Sequence, residues 1–264
     1  MFAEQFDLPL EYVKREAPAS GFVESAEVFF ADPEALGANV TMPFKHDAFA
    51  WVNSLSSQAE RAGAVNTIIR TKNGFIGDNS DGVGLVNDLL NHNIKIAGAK
   101  LLMIGAGGAA KGALPALLDA SISSVHIYNR SHQKAVDLVN YTKEHSQAYI
   151  SVYPRQTNQV KALELAEQTT PFDIIINATS LSLSNQLPAL PDTIFEGCPA
   201  VYDMVYLNQD TVFLEKAKSL SCKTAIDGLG MLVEQAAHSF FLWFGKKPET
   251  REVYKYLRAI SQSA

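Results

Sequence analysis

The chain has 264 residues, 47% hydrophobic and 19% charged, which excludes a disordered polymer and leaves room for two domains. A formal net charge of −6 removes the footprint of a nucleic-acid binder, although basic residues can still gather around an anionic ligand. The two cysteines, Cys198 and Cys222, make no disulfide or metal framework and no apolar run reaches membrane-spanning length, so a cytoplasmic protein with inert thiols is expected.

Met1–Phe6 has the pattern of the end of an amphipathic helix, closed before Pro9. Leu10–Arg15 reads as a strand and Pro18–Gly21 as a turn. Phe22–Phe30 reads as a helix, because Phe22, Ala26, Phe29 and Phe30 recur on one face. In Gly37–Lys45, Val40 and Met42 suit a strand whose ladder Pro43 ends. Asn39, Thr41 and Lys45 alternate along it or cluster at its end, where polar side chains can line a cleft. For a single lysine, a solvated edge-strand residue is the plainer reading.

His46–Ala62 predicts one helix, with Phe49, Val52, Leu55 and Ala59 apolar. Ala64–Arg70 predicts a strand that turns at Asn73-Gly74 into a return strand over Phe75–Gly77. Asp78-Asn-Ser-Asp-Gly82 follows, just before a helix over Val83–Asn91. A calcium loop is rejected, since aligning Gly82 with that loop's fixed glycine puts Gly77 where an aspartate ligand is needed. By itself, Asp81 is an ordinary helix N-cap.

Leu101–Ile104 is an apolar run of the kind that forms a buried parallel strand, and Gly105-Ala-Gly-Gly-Ala-Ala110 follows before a helix over Lys111–Ala120. A strand that turns on glycines into a helix N-terminus binds anions through unpaired N–H groups and the helix dipole. The spacing G-x-G-G-x-A is a variant of the dinucleotide fingerprint; alone, it also describes a turn with no ligand. Val125–Tyr128 is the second strand of the βαβ unit. Where an NAD site places an acid, this chain has Asn129-Arg130-Ser131 and then Lys134. Two cations without a carboxylate suit a 2′-phosphate, so the cofactor is read as NADP, the alternative being a solvated basic turn.

Lys134–Glu144 continues as helix, and Phe172–Asn177 is a buried strand with Ala178-Thr-Ser180 at its carboxyl end. Ala200–Tyr206 and Lys223–Ile226 repeat the strand pattern, which argues for a parallel, doubly wound sheet. Gly228–Trp243 is a strongly apolar helix in which Gln235, among Leu232, Ala236 and Ser239, points an amide inward. Pro248–Ile260 is a final amphipathic helix. G-x-S-x-G, H-E-x-x-H and P-loop patterns are all missing.

Eight of these segments, in order, resemble the shikimate dehydrogenase family: Asn39-Val-Thr-Met-Pro-Phe-Lys45, Gly63-Ala-Val-Asn-Thr67, Gly77-Asp-Asn-Ser-Asp-Gly82, Gly105-Ala-Gly-Gly-Ala-Ala110, Asn129-Arg-Ser131, Ile176-Asn-Ala-Thr-Ser180, Tyr202-Asp-Met-Val-Tyr206 and Gly228-Leu-Gly-Met-Leu-Val-Glu-Gln235. The resemblance implies an α/β fold with a Rossmann-like NADP-binding domain over 82–229. A discontinuous α/β substrate domain would comprise 1–81 and 230–264, with the active site in the cleft between them. It implies NADP-dependent, reversible reduction of 3-dehydroshikimate to shikimate by a monomer or homodimer, without metal, nucleic acid or membrane. The alternatives are a quinate/shikimate dehydrogenase that uses NAD and a catalytically impaired NADP-binding protein.

By the same resemblance, Lys45 and Asp81 are the catalytic pair, and Asn39, Thr41, Asn66, Tyr206 and Gln235 contact substrate hydroxyls. Gly105, Ala106, Gly107, Gly108, Ala109, Asn129, Arg130, Ser131, Lys134, Thr179, Met204 and Gly228 line the NADP site. The chemistry is consistent, since a lysine is mostly ammonium at neutral pH and can protonate a developing alkoxide. Ser80 replaces the usual threonine, and Ser182 and Asn185 stand where glycines are common. Relatives begin with a strand and a Ser-x-Ser loop for the substrate carboxylate, whereas this sequence begins in the helix after them, so an upstream start is expected.

Overall fold

The computed structural model describes residues 1–144, 148–153 and 172–263. The first of two sheets is mixed. Gly37–Asn39 (β1) pairs antiparallel with Thr67–Thr71 (β3), which pairs antiparallel with Gly74–Asp78 (β4), and Ser54–Leu55 (β2) joins β4 in parallel. Helix Phe22–Phe30 (α1) lays Phe22, Ala26 and Phe30 against Val40, Ala48, Ala59, Val65 and Ile68 to form the core of this part.

The expected strand over Leu10–Arg15 is absent: the segment carries no regular element, and Leu10, Tyr12 and Val13 are exposed. A strand needs a neighbour to complete its ladder, and this segment pairs with none. Tyr12 instead tilts its ring over Trp243 and gives its hydroxyl to Asn39. Met42, also expected in a strand, is 80% exposed beyond the end of β1.

The single helix expected over His46–Ala62 is two, Lys45–Trp51 (α2) and Ser57–Ala62 (α3), separated by β2. Local polar groups override the apolar period there. Ser56 caps α3 by accepting from the Ala59 amide at 3.1 Å, and Asn53 accepts from the Phe75 amide at 2.7 Å.

The second sheet is wholly parallel. Its strands are Lys100–Ile104 (β5), Ser124–Tyr128 (β6), Tyr149–Val152 (β7), Ile174–Asn177 (β8), Ala200–Asp203 (β9) and Thr224–Asp227 (β10), in the order β10-β9-β8-β5-β6-β7. β9 is thus three residues shorter than the run Ala200–Tyr206, because the chain turns away after Asp203. Both faces of the central strands are covered, which is why Leu101–Ile104, Ile174–Ile176 and Ala200–Tyr202 are continuously apolar. Leu101 and Met103 pack with Leu85 and Leu89 of Asp81–Asn91 (α4), with Leu114 and Leu117 of Gly108–Asp119 (α5), and with Leu138 of His132–Lys143 (α6). Leu102 and Ile104 face the other way, toward Phe213, Leu214 and Ala217 of Val212–Ser219 (α7).

Register aligns the carboxyl ends of five strands. Tyr128, Ile104, Asn177, Asp203 and Asp227 are successive neighbours, so the residues after them, Asn129, Gly105, Ala178, Met204 and Gly228, share one edge. The order reverses at β5 and β8, the place where open α/β sheets bind ligands. Helix Leu229–Phe244 (α8) starts from this edge and packs along α4, and Arg251–Ser263 (α9) follows it. The two helices approach so closely that a Cβ on Gly84 would lie 2.7 Å from the Met231 carbonyl oxygen. Arg61 of α3 pairs with Asp119 of α5, and the Tyr141 hydroxyl of α6 donates to the Glu60 carbonyl at 2.8 Å, so α3 is tied to two helices of the parallel sheet.

Candidate active site

Lys45 opens α2 and Asp81 opens α4, and the lysine Nζ lies 2.5 Å from the carboxylate Oδ2. Their side chains are 23% and 12% exposed, so the pair is largely withdrawn from water yet open on one side. The other carboxylate oxygen accepts from Asn66 Nδ2 at 2.7 Å. These bonds correct both plainer readings. Lys45 is ion-paired rather than solvated, and Asp81 follows the N-cap position, held by Ser80, with both its oxygens occupied by side chains from outside its helix. Helix α5 reaches the same point: a Cβ on Gly112 would lie 3.1 Å from Asp81 Oδ2.

A polar network surrounds the pair. Asn66, 3% exposed, accepts at Oδ1 from the Ser80 amide at 2.8 Å, which fixes its Nδ2 toward Asp81. Asn39, at the end of β1, donates from Nδ2 to Ser239 Oγ at 2.8 Å and to Thr67 Oγ1 at 3.2 Å, while its Oδ1 accepts from Tyr12. Gln235 accepts from Ser80 Oγ at 3.2 Å and donates to the Leu232 carbonyl at 3.0 Å. It is half-buried rather than enclosed, since Leu232 beside it is exposed. Lys45, Asp81, Asn39, Asn66 and Gln235 are therefore gathered by one network. Thr41 and Tyr206 are exposed and make no side-chain hydrogen bond among the described residues.

Sequence reasoning missed three members: Tyr12, Thr67 and Ser239. Ser239 was legible in one respect, because Gln235, His238 and Ser239 are polar positions at helical spacing in an otherwise apolar helix. His238 itself lies 3.5 Å from Asp78 Oδ2, and Ser56 donates to the other oxygen. Burial would raise the Asp78 carboxyl, but hydrogen bonds from His238, Ser56 and the Asn79 amide outweigh it and hold it below the ordinary range.

The glycine turn lies at the start of α5, the helix whose Gly112 approaches Asp81. Gly105 has φ 112°, and a Cβ there would be 3.1 Å from the Ala178 carbonyl oxygen and the Thr179 methyl, so only glycine fits. Gly107 and Gly108 start α5, are exposed, and have nothing within 4 Å of where a Cβ would stand. Ala106 is half-buried and Ala109 exposed in the same turn. On the adjoining strand end, Asn129 donates to the Ser131 carbonyl at 2.9 Å, Arg130 and Ser131 are exposed, and Lys134 lies in the first turn of α6. An open helix N-terminus flanked by two cations fits a dinucleotide that carries an extra phosphate. Thr179 is held against the turn by bonds from its amide and hydroxyl to Asn177 Oδ1. Met204 and Gly228 complete the edge, their backbones so close that a Cβ on Gly228 would be 2.2 Å from the Met204 oxygen.

Comparison with known proteins gives the family. Residues 1–68 match the shikimate dehydrogenase substrate binding domain, 88–185 the shikimate/quinate 5-dehydrogenase family, and 228–258 the shikimate 5′-dehydrogenase C-terminal domain. The NADP(+) shikimate dehydrogenase of Vibrio campbellii is 44% identical over 98% of this chain and 89% of its own length. The chain belongs to the shikimate dehydrogenase family. A second such relative, from Alteromonas mediterranea, is 45% identical over 100% of this chain and 91% of its own. Among solved structures, the shikimate 5-dehydrogenase of Thermus thermophilus in complex with NADP(H) and shikimate superposes with a TM-score of 0.80. That protein is 29% identical, and the match covers 98% of this chain and 91% of that one.

The departures from the shikimate dehydrogenase pattern after Ser180 have a physical account. Ser182 is 2% exposed and donates to Asp203 Oδ2 at 2.6 Å, joining Asn177 and Thr211 around that carboxylate. Burial raises the Asp203 carboxyl above the ordinary range despite these bonds. Asn185 adopts φ 55°, the left-handed conformation for which glycine is otherwise used, and asparagine tolerates it better than most residues. Ser80 keeps the hydroxyl that a threonine would supply, 3.2 Å from both Asn66 Oδ1 and Gln235 Oε1.

Proposed function

We propose that this chain catalyses the reversible reduction of 3-dehydroshikimate to shikimate with NADPH, using Lys45 and Asp81. The 2.5 Å contact between them carries the reading, because it joins an ammonium from one sheet's periphery to a carboxylate that α5 of the dinucleotide-type sheet touches. Bound NADPH supplies the hydride. Lys45 donates the proton that the carbonyl oxygen needs as its carbon is reduced, and takes it back in the reverse direction. Asp81 keeps the ammonium aimed and its charge balanced, and Asn66 holds Asp81. A preorganised cation beside the developing alkoxide lowers the barrier because it requires no reorganisation during reaction.

Asn39, Thr41, Asn66, Tyr206 and Gln235 are assigned to the substrate's hydroxyls, an array that penalises a ring lacking one of them. Gly105, Ala106, Gly107, Gly108 and Ala109 are assigned to the pyrophosphate. Asn129, Arg130, Ser131 and Lys134 are assigned to the adenosine 2′-phosphate side, and Thr179, Met204 and Gly228 to the nicotinamide side. The division into a substrate domain of 1–81 with 230–264 and an NADP domain of 82–229 accords with the two sheets. All these groups come from one chain, so neither a monomer nor a homodimer needs a residue from a second copy. No described helix is long and apolar enough to cross a membrane, and both cysteines are free, which supports the cytoplasm as the compartment.

The test is a steady-state assay of the purified chain with 3-dehydroshikimate and its quinate counterpart, each with NADPH and NADH. Turnover of 3-dehydroshikimate with a preference for NADPH is expected. NADPH binding without turnover would overturn the reading.

A further inference from the structure

The hydroxyl of Ser239 is fully buried on α8, and it meets groups from three other parts of the chain and one from its own helix. It lies 2.8 Å from Asn39 Nδ2, 2.9 Å from Thr67 Oγ1, 3.4 Å from Ser80 Oγ and 3.1 Å from the Gln235 carbonyl one turn back. We propose that Ser239 is a specificity-determining positioning residue, which locks the Asn39 amide with its oxygen turned outward as a hydrogen-bond acceptor. The proposal rests on the assignment of Asn39 to substrate.

The orientation of Asn39 follows from chemistry. One end of its amide faces the Asn66 carbonyl oxygen at 3.4 Å, a group that can only accept, so that end must be Nδ2. The Ser239 hydrogen has an acceptor-only partner in the Gln235 carbonyl, which leaves an oxygen lone pair for Nδ2 at the shortest distance in the set. Flipping the amide would put Oδ1 against the Asn66 carbonyl. With Ser239 replaced by alanine, Nδ2 keeps only the longer contacts at 3.2 and 3.4 Å. Oδ1 now accepts from Tyr12 at 2.8 Å, and its second lone pair remains for a hydroxyl of a ring substrate. Thr67 continues the network, because its hydroxyl lies 2.9 Å from both Ser239 Oγ and Asn66 Oδ1 and Asn66 donates to Asp81.

A role confined to packing would lower stability and leave the substrate terms untouched, so the measurement must separate the two. Steady-state constants for shikimate and NADP⁺ are to be compared in wild type, Ser239→Ala, Asn39→Ala and the double variant. Loss of one buried hydrogen bond predicts that Ser239→Ala raises KM for shikimate about fivefold to tenfold, with KM for NADP⁺ unchanged. In the double variant the second substitution adds nothing to Asn39→Ala, because Ser239 acts through that amide. Equal rises in both KM values, or additive effects in the double variant, would overturn the proposal.

A readout independent of turnover is the hydrogen exchange of the Asn39 side-chain amide, assigned by its disappearance in Asn39→Asp. Protection in wild type that is lost in Ser239→Ala is expected, and an unprotected amide in wild type would sink the idea. If wild type turns over no shikimate while that amide is protected, the functional assignment fails and the positioning role stands.

Discussion

The hydroxyl of Tyr202, fully buried on β9, donates to the carboxylate of Asp88 on α4 across 2.7 Å. Helix α4 therefore carries Asp81 at one end and is tied to the parallel sheet at the other. Because burial and the Asp88 charge oppose ionisation, the Tyr202 hydroxyl is held well above the ordinary phenol range and stays a donor. Tyr202→Phe removes that donor from a carboxylate that is 2% exposed. The expected loss is about 1–3 kcal/mol of unfolding free energy, read from urea melts. An unchanged midpoint would show that the bond contributes nothing.

His92 adds a pH dependence at the same place. Its Nδ1 lies 3.2 Å from Asp88 Oδ1, and the hydrogen bond to Asp88 outweighs burial, with further help from the charges of Asp88 and Asp227, so its pKa is raised. A raised histidine contributes stability that is complete below its unfolded value, about 6.5, and is lost as pH rises through the higher folded value. The melting temperature of wild type should exceed that of His92→Asn at about pH 6 and converge with it well above that histidine range. A gap that widens with rising pH would contradict the assignment.

Gly105→Ala tests the glycine turn. At φ 112° with a neighbouring carbonyl 3.1 Å from the new carbon, alanine is strained by conformation and by contact alike. A loss of about 1–3 kcal/mol is expected, together with weaker NADPH binding by titration. Wild-type stability and affinity would mean that the backbone relaxes freely.

Arg130→Ala tests the reading of the cofactor. Removing a charged partner of a phosphate should raise KM for NADPH about tenfold or more, and leave KM for NADH nearly unchanged. An equal effect on both cofactors would remove the 2′-phosphate from the account.

The parallel sheet was legible because burial on both faces writes uninterrupted runs such as Leu101–Ile104 and Ile174–Ile176, and because glycine punctuates β5 at Gly105. The β3–β4 hairpin was legible through Asn73-Gly74. Two errors had local causes. Leu10–Arg15 has strand-like residues but no partner, and pairing is invisible to a pattern confined to one segment. The helix break at Asn53–Ser56 depends on side chains that bond the backbone, which an apolar period does not register.

In the site, Lys45 and Asp81 were found through the family resemblance of the segments that carry them. Their residue types alone favoured a solvated lysine and a helix cap. Ser239 was passed over because a serine on an apolar helix differs little from alanine until its partners, brought from β1, β3 and the N-cap of α4, are in place. The polar spacing of Gln235, His238 and Ser239 marks a face of the helix, but not the distant groups that converge on it.

Replacing the lysine tests the central claim most directly. The rate of NADPH oxidation at saturating 3-dehydroshikimate should fall about 10²–10⁴-fold in Lys45→Ala, the range for a positioned general acid, while the dissociation constant for NADPH is unchanged. A Lys45→Ala enzyme that turns over at nearly the wild-type rate would contradict the account.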